Sequence, residues 1–302
     1  MRSLMPSLSD WIQAARPKTL GAAVAPVMVG SVLGWKIGGA FSMQLLIATL
    51  GSCLCIQMAT NFFNDALDHL KGADTEKRIG PRRITASGAS SARTTMAAGW
   101  FMLIAAVGFA LPLVLARGPA ILLIGIPSLY FAYGYTGGPV PLAYRGLGEL
   151  FVILFFGLIA VTGSAFVQSG EWLALGLVAG VQMGCLSTVL IAINNLRDVD
   201  EDRRTKKRTL AVRLGIGFAR FEIALLILAA HAVGYYWWEA GFESAFIWPL
   251  AVSPLGGLIT LWVWRTRPSP AYNRFLALSG LQLLIFALLL CLGIARSNVV
   301  SM

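Results

Sequence analysis

The chain has 302 residues, 57% of them hydrophobic and only 13% charged, with a mean hydropathy of +0.73. A soluble domain carries about 25% charged residues, so this composition excludes one and indicates a polytopic membrane protein. The formal charge of +10 would suggest nucleic acid in a soluble chain; here it speaks of membrane topology, and no nucleic-acid partner is expected.

In chain order, the first apolar run begins only after Arg16-Pro17-Lys18. No cleavable signal is expected, and the first transmembrane helix itself serves for insertion. A helix needs about 20 apolar residues to span the hydrocarbon. Nine segments approach that length, at 16–35, 43–64, 94–116, 119–135, 147–168, 172–196, 218–238, 245–264 and 274–295. Internal prolines such as Pro26 and Pro127 are compatible with membrane helices. With the N-terminus cytoplasmic, all 24 Lys and Arg fall on the cytoplasmic side except Lys36, Arg117 and Arg296, the bias expected of a bacterial inner-membrane protein. Cys53, Cys55, Cys185 and Cys291 all sit inside apolar runs and read as packing thiols. The expected fold is an all-α bundle of nine transmembrane helices around a central cavity open to the cytoplasmic face.

The second apolar run ends in Asn61-Phe-Phe-Asn-Asp-Ala-Leu-Asp68. Asn61, Asn64, Asp65 and Asp68 are spaced i, i+3, i+4 and i+7, which places them on one helix face. Polar groups at a membrane-helix end need a polar cavity, a partner or a metal. Asn195, Asp198 and Asp202 repeat Asn61, Asn64 and Asp68 at one constant offset, again where an apolar run enters a basic loop. That offset makes residues 16–135 and 147–264 parallel pseudo-repeats of a single domain over 1–302, with the helix at 274–295 appended. Facing carboxylates suit Mg²⁺, which takes hard oxygen ligands together with phosphate oxygens. The surplus of Lys and Arg at the same mouth suits a diphosphate, and the apolar bundle beneath suits a hydrocarbon tail. A polyprenyl diphosphate with its head at the interface answers all three. For Tyr130, Tyr133 and Tyr135 two readings stand, an interfacial aromatic belt or part of the site.

Taken together these residues resemble the UbiA-type intramembrane prenyltransferases, most of all the branch acting on 1,4-dihydroxy-2-naphthoate. The resemblance rests on Arg16 to Leu20, Asn61 to Asp68 with Lys71 to Thr75 and Gly80 to Arg83, Tyr133 to Pro139 with Tyr144 to Glu149, and Asn194 to Asp202 with Lys207 to Leu210. It implies Mg²⁺-dependent transfer of a polyprenyl group from its diphosphate to an aromatic acid, with loss of CO₂, in quinone biosynthesis. By that resemblance Asn64, Asp65, Asp68, Asp198 and Asp202 hold the metal, the four aspartates being the catalytic set. Arg16, Lys18, Lys77, Arg83, Arg145 and Lys207 hold the diphosphate, and Asn61, Tyr133, Tyr144 and Asn195 contact substrate. The family's first motif carries a further acid where this chain has Gly72; Asp74 follows two residues later, which leaves its role open. A transporter, the alternative class, would set its charges at the membrane midplane, whereas these cluster at one face. Among prenyltransferases the alternatives are those acting on 4-hydroxybenzoate, then the haem and chlorophyll prenyltransferases.

Overall fold

The computed structural model describes residues 6–74, 79–80 and 83–297, without the side chain of Lys18. Lys77 and the Lys18 side chain, both expected at the diphosphate, therefore lie outside the described residues. The described chain is helical throughout. Short α1 (Leu8–Ala15) leads into α2 (Pro17–Gly38), α3 (Met43–Leu70) and α4 (Ala92–Arg117). Then come α5 (Ala120–Gly134), α6 (Gly148–Ser169), α7 (Ala174–Arg197) and short α8 (Val199–Arg204). The last three are α9 (Leu210–Ala232), α10 (Glu243–Arg265) and α11 (Tyr272–Arg296).

Among the described residues, eight helices are long and apolar enough to cross a membrane, and α5, with 15 residues, is the shorter ninth. They match the nine expected segments, and the chain is a multi-pass membrane protein. Serines at 42 and 91 accept a hydrogen bond from the backbone amides of Leu45 and Thr94, satisfying donors that a starting helix leaves open. The outward faces are apolar: Leu115, Leu123 and Ile104 are strongly exposed, as lipid-facing side chains should be. The polar residues turn inward.

Close helix approaches set the width of the interior. Gly30 and Gly34 of α2 lie against the carbonyls of Val161 and Ala165 in α6, where a Cβ would collide with backbone. Gly157 of α6 and Gly180 of α7 meet in the same way. Small residues are the usual device for backbone contact in membranes. Over Ile153–Ile159, α6 widens into a π-helical stretch, a local distortion common beside functional sites. Phe151, just before it, and Phe156, within it, line a central cavity.

Candidate active site

The cavity spans about 1280 Å³, open solvent at its mouth included, and opens at the basic face. It is bounded by the α1–α2 junction, the ends of α3 and α7, the start of α6, and the loops following α3 and α8. Arg16 joins α1 to α2 at φ 55°, a left-handed conformation that costs a non-glycine residue about 1–2 kcal/mol. That bend aims its guanidinium at Asn64 Oδ1, 2.8 Å away. Asn61 Nδ2 donates to the carbonyl of Ala15 at 2.9 Å, so α3 anchors the same bend.

The four polar residues of α3 divide between two tasks. Asn64 Oδ1 also accepts from Arg83 at 2.7 Å, and its amide donates to Thr136 Oγ1 at 3.0 Å. Asp68, 1% exposed, accepts from Arg83 Nη2 at 3.0 Å and from the Tyr144 hydroxyl at 2.8 Å. Asp65 is equally buried but does not line the cavity; its two oxygens accept the backbone amides of Ile84 and Thr85 at 3.2 and 3.1 Å. It holds the loop that delivers Arg83. Asp74 lies 3.5 Å from Arg83 Nε on the other side. Burial opposes charge on Arg83, yet Asp68, Asp74, Asp65 and Asp198 raise its affinity for a proton above the ordinary arginine value.

The second half supplies Asn194, Asn195, Asp198, Glu201 and Asp202 to the same cavity. Lys206 adopts φ 59°, and the resulting turn brings the Lys207 amide back to the Asp202 carbonyl at 2.8 Å. Lys207 Nζ then stands 3.9 Å from both Asp68 and Asp202. One ammonium therefore bridges the two acidic motifs. Asp198 is held differently: Arg197 clasps both its oxygens at 2.7 and 2.6 Å and reaches Asn194 and Asn273 as well. Arg197 is 2% exposed. It is the last residue of α7, and its place at the end of an apolar run is the one sign of this in the sequence.

The remaining expected residues scatter. Tyr144 joins the site, with Lys71 Nζ 4.3 Å over its ring. Burial, and then Asp68, push the Tyr144 phenol well above its usual range, so it stays a donor to Asp68 at working pH. Tyr133 packs away from the cavity, stacked on Trp100 at 5.7 Å and edge-on to Phe63 at 5.4 Å. Arg145 is exposed and lines an outer groove with Arg208 and Arg213, separate from the cavity lining. Asn195 donates to Glu149 Oε1 at 2.8 Å. Glu149, the last residue of the Tyr144–Glu149 stretch, stands at the head of an apolar run and had no site role in the sequence reading.

Oxygen donors on both acidic motifs face one space whose lining includes neither Cys nor His. That donor chemistry fits magnesium. Among the described residues no three acidic or soft ligands converge to hold an ion unaided, which suits a metal bound jointly with phosphate oxygens. A second cavity adjoins the first, sharing Gln57, Thr60, Phe151 and Phe156, and is otherwise mostly apolar.

A polar mouth with paired acids above an apolar chamber, inside a helical membrane bundle, defines an intramembrane enzyme for an amphiphilic substrate. Residues 23–285 match the UbiA prenyltransferase family, and the chain belongs to that family; it is a prenyltransferase. It is 36% identical over 226 residues to the 1,4-dihydroxy-2-naphthoate octaprenyltransferase of Mycobacterium leprae, covering 74% of this chain and 76% of that one. The fold resembles the apo UbiA homolog from Aeropyrum pernix K1, with TM-score 0.67, 20% identity and coverage of 92% and 98% of the two chains. It also resembles a UbiA homolog from Archaeoglobus fulgidus bound to DMAPP and Mg²⁺, with TM-score 0.61, 16% identity and coverage of 93% and 99%.

Proposed function

We propose that this enzyme transfers a polyprenyl group from polyprenyl diphosphate to 1,4-dihydroxy-2-naphthoate, releasing diphosphate and CO₂, at the cytoplasmic face of the bacterial inner membrane. The observation that carries the reading is Lys207, shared at 3.9 Å by Asp68 and Asp202 at the mouth of a cavity that leads into an apolar chamber. Two acidic helix ends meeting one cation form a head-group site, and the chamber beneath matches an isoprenoid tail. The naphthoate acceptor is supported by the relative's description, and magnesium by the Archaeoglobus fulgidus complex.

Asp68, Asp198, Asp202 and Asn64 would hold Mg²⁺, which supplies charge neutralisation for the departing diphosphate. Arg16, Arg83 and Lys207, already at the mouth, bind the remaining phosphate oxygens. Phe151, Phe156 and Tyr135 line the wall below, where π faces favour developing positive charge on the prenyl carbon. We assign Asp65 to positioning Arg83, and Arg145 to the outer rim. Residues 16–135 and 147–264 are taken as parallel repeats whose equivalent helix ends build the two sides of the mouth.

The test incubates purified enzyme with Mg²⁺, a polyprenyl diphosphate and naphthoate labelled at its carboxyl carbon. Prenylated product with labelled CO₂ is expected. Transfer only to 4-hydroxybenzoate would overturn the acceptor assignment.

A further inference from the structure

One carboxylate in the cavity belongs to neither acidic motif. Glu149, the second residue of α6, is 4% exposed. Its Oε1 accepts the Asn195 amide at 2.8 Å. Its Oε2 is buried and has no hydrogen-bond partner among the described residues, and the side chain lines the cavity next to Asn195, Tyr135 and Phe151. Among the described residues Asp68, Asp198 and Asp202 of the cavity each have a Lys or Arg partner, and Glu149 has none.

Pinning α6 to α7 through Asn195 needs only one carbonyl-type oxygen, and glutamine would supply it. A carboxylate in this apolar setting costs far more than an amide. A glutamate at this position calls for a ligand that needs a strong acceptor at Oε2. The level in the cavity is informative as well. Asn195 precedes Asp198 by three residues, so Glu149 sits about 4.5 Å below the acidic mouth at 1.5 Å per residue. The prenyl carbon that reacts is one bond from its diphosphate oxygen and belongs at that level. Like charge turns the acceptor's own carboxylate away from Glu149, leaving its hydroxyl to meet Oε2.

We infer that Glu149 is the general base for the aromatic acceptor, a role resting on the prenyl-transfer reading above. The hydroxyl O–H breaks and its proton passes to Glu149 Oε2. The oxygen's electrons form a ring ketone while a ring π pair makes the bond to the prenyl carbon. The C–O bond to diphosphate breaks, and its pair leaves with the diphosphate. The carboxylated carbon now bears the prenyl group beside a ketone. The bond to CO₂ breaks, its pair restores the ring, and the oxygen takes its proton back from Glu149. The carboxylate ends as it began, and no further reactant is consumed.

The experiment compares the parent with Glu149→Gln on a series of hydroxyaromatic acids of graded hydroxyl acidity, measuring kcat and both KM values. Glu149→Gln is expected to lose about 10²–10³-fold in kcat with the prenyl-diphosphate KM and melting temperature near parental. Its rate should climb steeply as the acceptor hydroxyl becomes more acidic, while the parent's varies little. Retained kcat in Glu149→Gln, or the same acidity dependence in both proteins, overturns the assignment. Should the variant not fold, the parent decides. A naphthoate with a methoxy group in place of the hydroxyl beside the carboxylate should give no product, and its turnover at the parental rate refutes the base. Activity of the parent on 4-hydroxybenzoate alone removes the naphthoate reading while the Glu149→Gln comparison on that acceptor still decides the base. No prenylation of any acceptor by the parent overturns both.

Discussion

Asp68 and Asp202 are equivalent by sequence offset but unequal in their surroundings, and the difference is measurable. Asp202→Asn removes a carboxylate whose cation, Lys207, lies 3.9 Å away and keeps Asp68 at the same distance. Asp68→Asn removes the charge that faces buried Arg83 at 3.0 Å and leaves a single acceptor oxygen where Arg83 and Tyr144 now use two. Both variants should lose about 10²–10³-fold in kcat, the scale for deleting one stabiliser of developing charge. Asp68→Asn should also destabilise, because it strips the carboxylate from a buried guanidinium. Leaving a buried charge without its partner costs about 3–5 kcal/mol; because Asp74 and Asn64 still hold Arg83, about 3 kcal/mol is expected. At roughly 2 °C per kcal/mol for a chain of this size, the apparent Tm in detergent should fall about 6 °C. The assays are turnover with radiolabelled prenyl diphosphate and a thermal-shift scan on the same preparations. An unchanged Tm in Asp68→Asn, or near-parental turnover in either variant, would show that the mouth does not work as described.

Tyr144→Phe deletes a neutral donor to Asp68 and should cost about 1 kcal/mol, seen as a several-fold fall in kcat/KM for the prenyl diphosphate. Because its phenol is held above the usual range, the variant should show no new pH dependence between pH 6 and about 9; a new inflection there would contradict its role as a permanent donor. Arg197→Lys cannot reproduce the bidentate clasp on Asp198, so the concentration of Mg²⁺ giving half-maximal rate should change about tenfold or more, and an unchanged metal titration would reject the coupling. Chelation with EDTA should abolish turnover and added Mg²⁺ restore it; full activity in chelator would remove the metal from the scheme. For topology, Ala86→Cys and Arg204→Cys should label only from the cytoplasm and Glu171→Cys only from outside in a background lacking the four native cysteines, and the reverse pattern would invert the orientation.

The acidic helix ends, the helical segments and the charge asymmetry were all legible in the sequence. Hydrophobic run length answers to bilayer thickness, and the spacing of Asn61, Asn64, Asp65 and Asp68 answers to helical geometry. Both are local properties that need no tertiary information. Which side chain of a shared face enters the cavity is another matter. Asp65 and Asp68 are less than one turn apart, yet Asp65 is consumed by the amides of Ile84 and Thr85 while Asp68 meets Arg83, Tyr144 and Lys207. That division exists only because the loop after α3 folds back onto its own helix. Tyr133 and Tyr144 lie in one motif, and packing sends the first to Trp100 and the second to Asp68. Glu149 acquires its meaning from Asn195, 46 positions away, and Arg197 from Asn273 on α11. In each case the deciding partner is distant in sequence. A buried charge takes its role from whatever satisfies it in the low-dielectric interior, and only the packing of helices and loops brings that partner within reach.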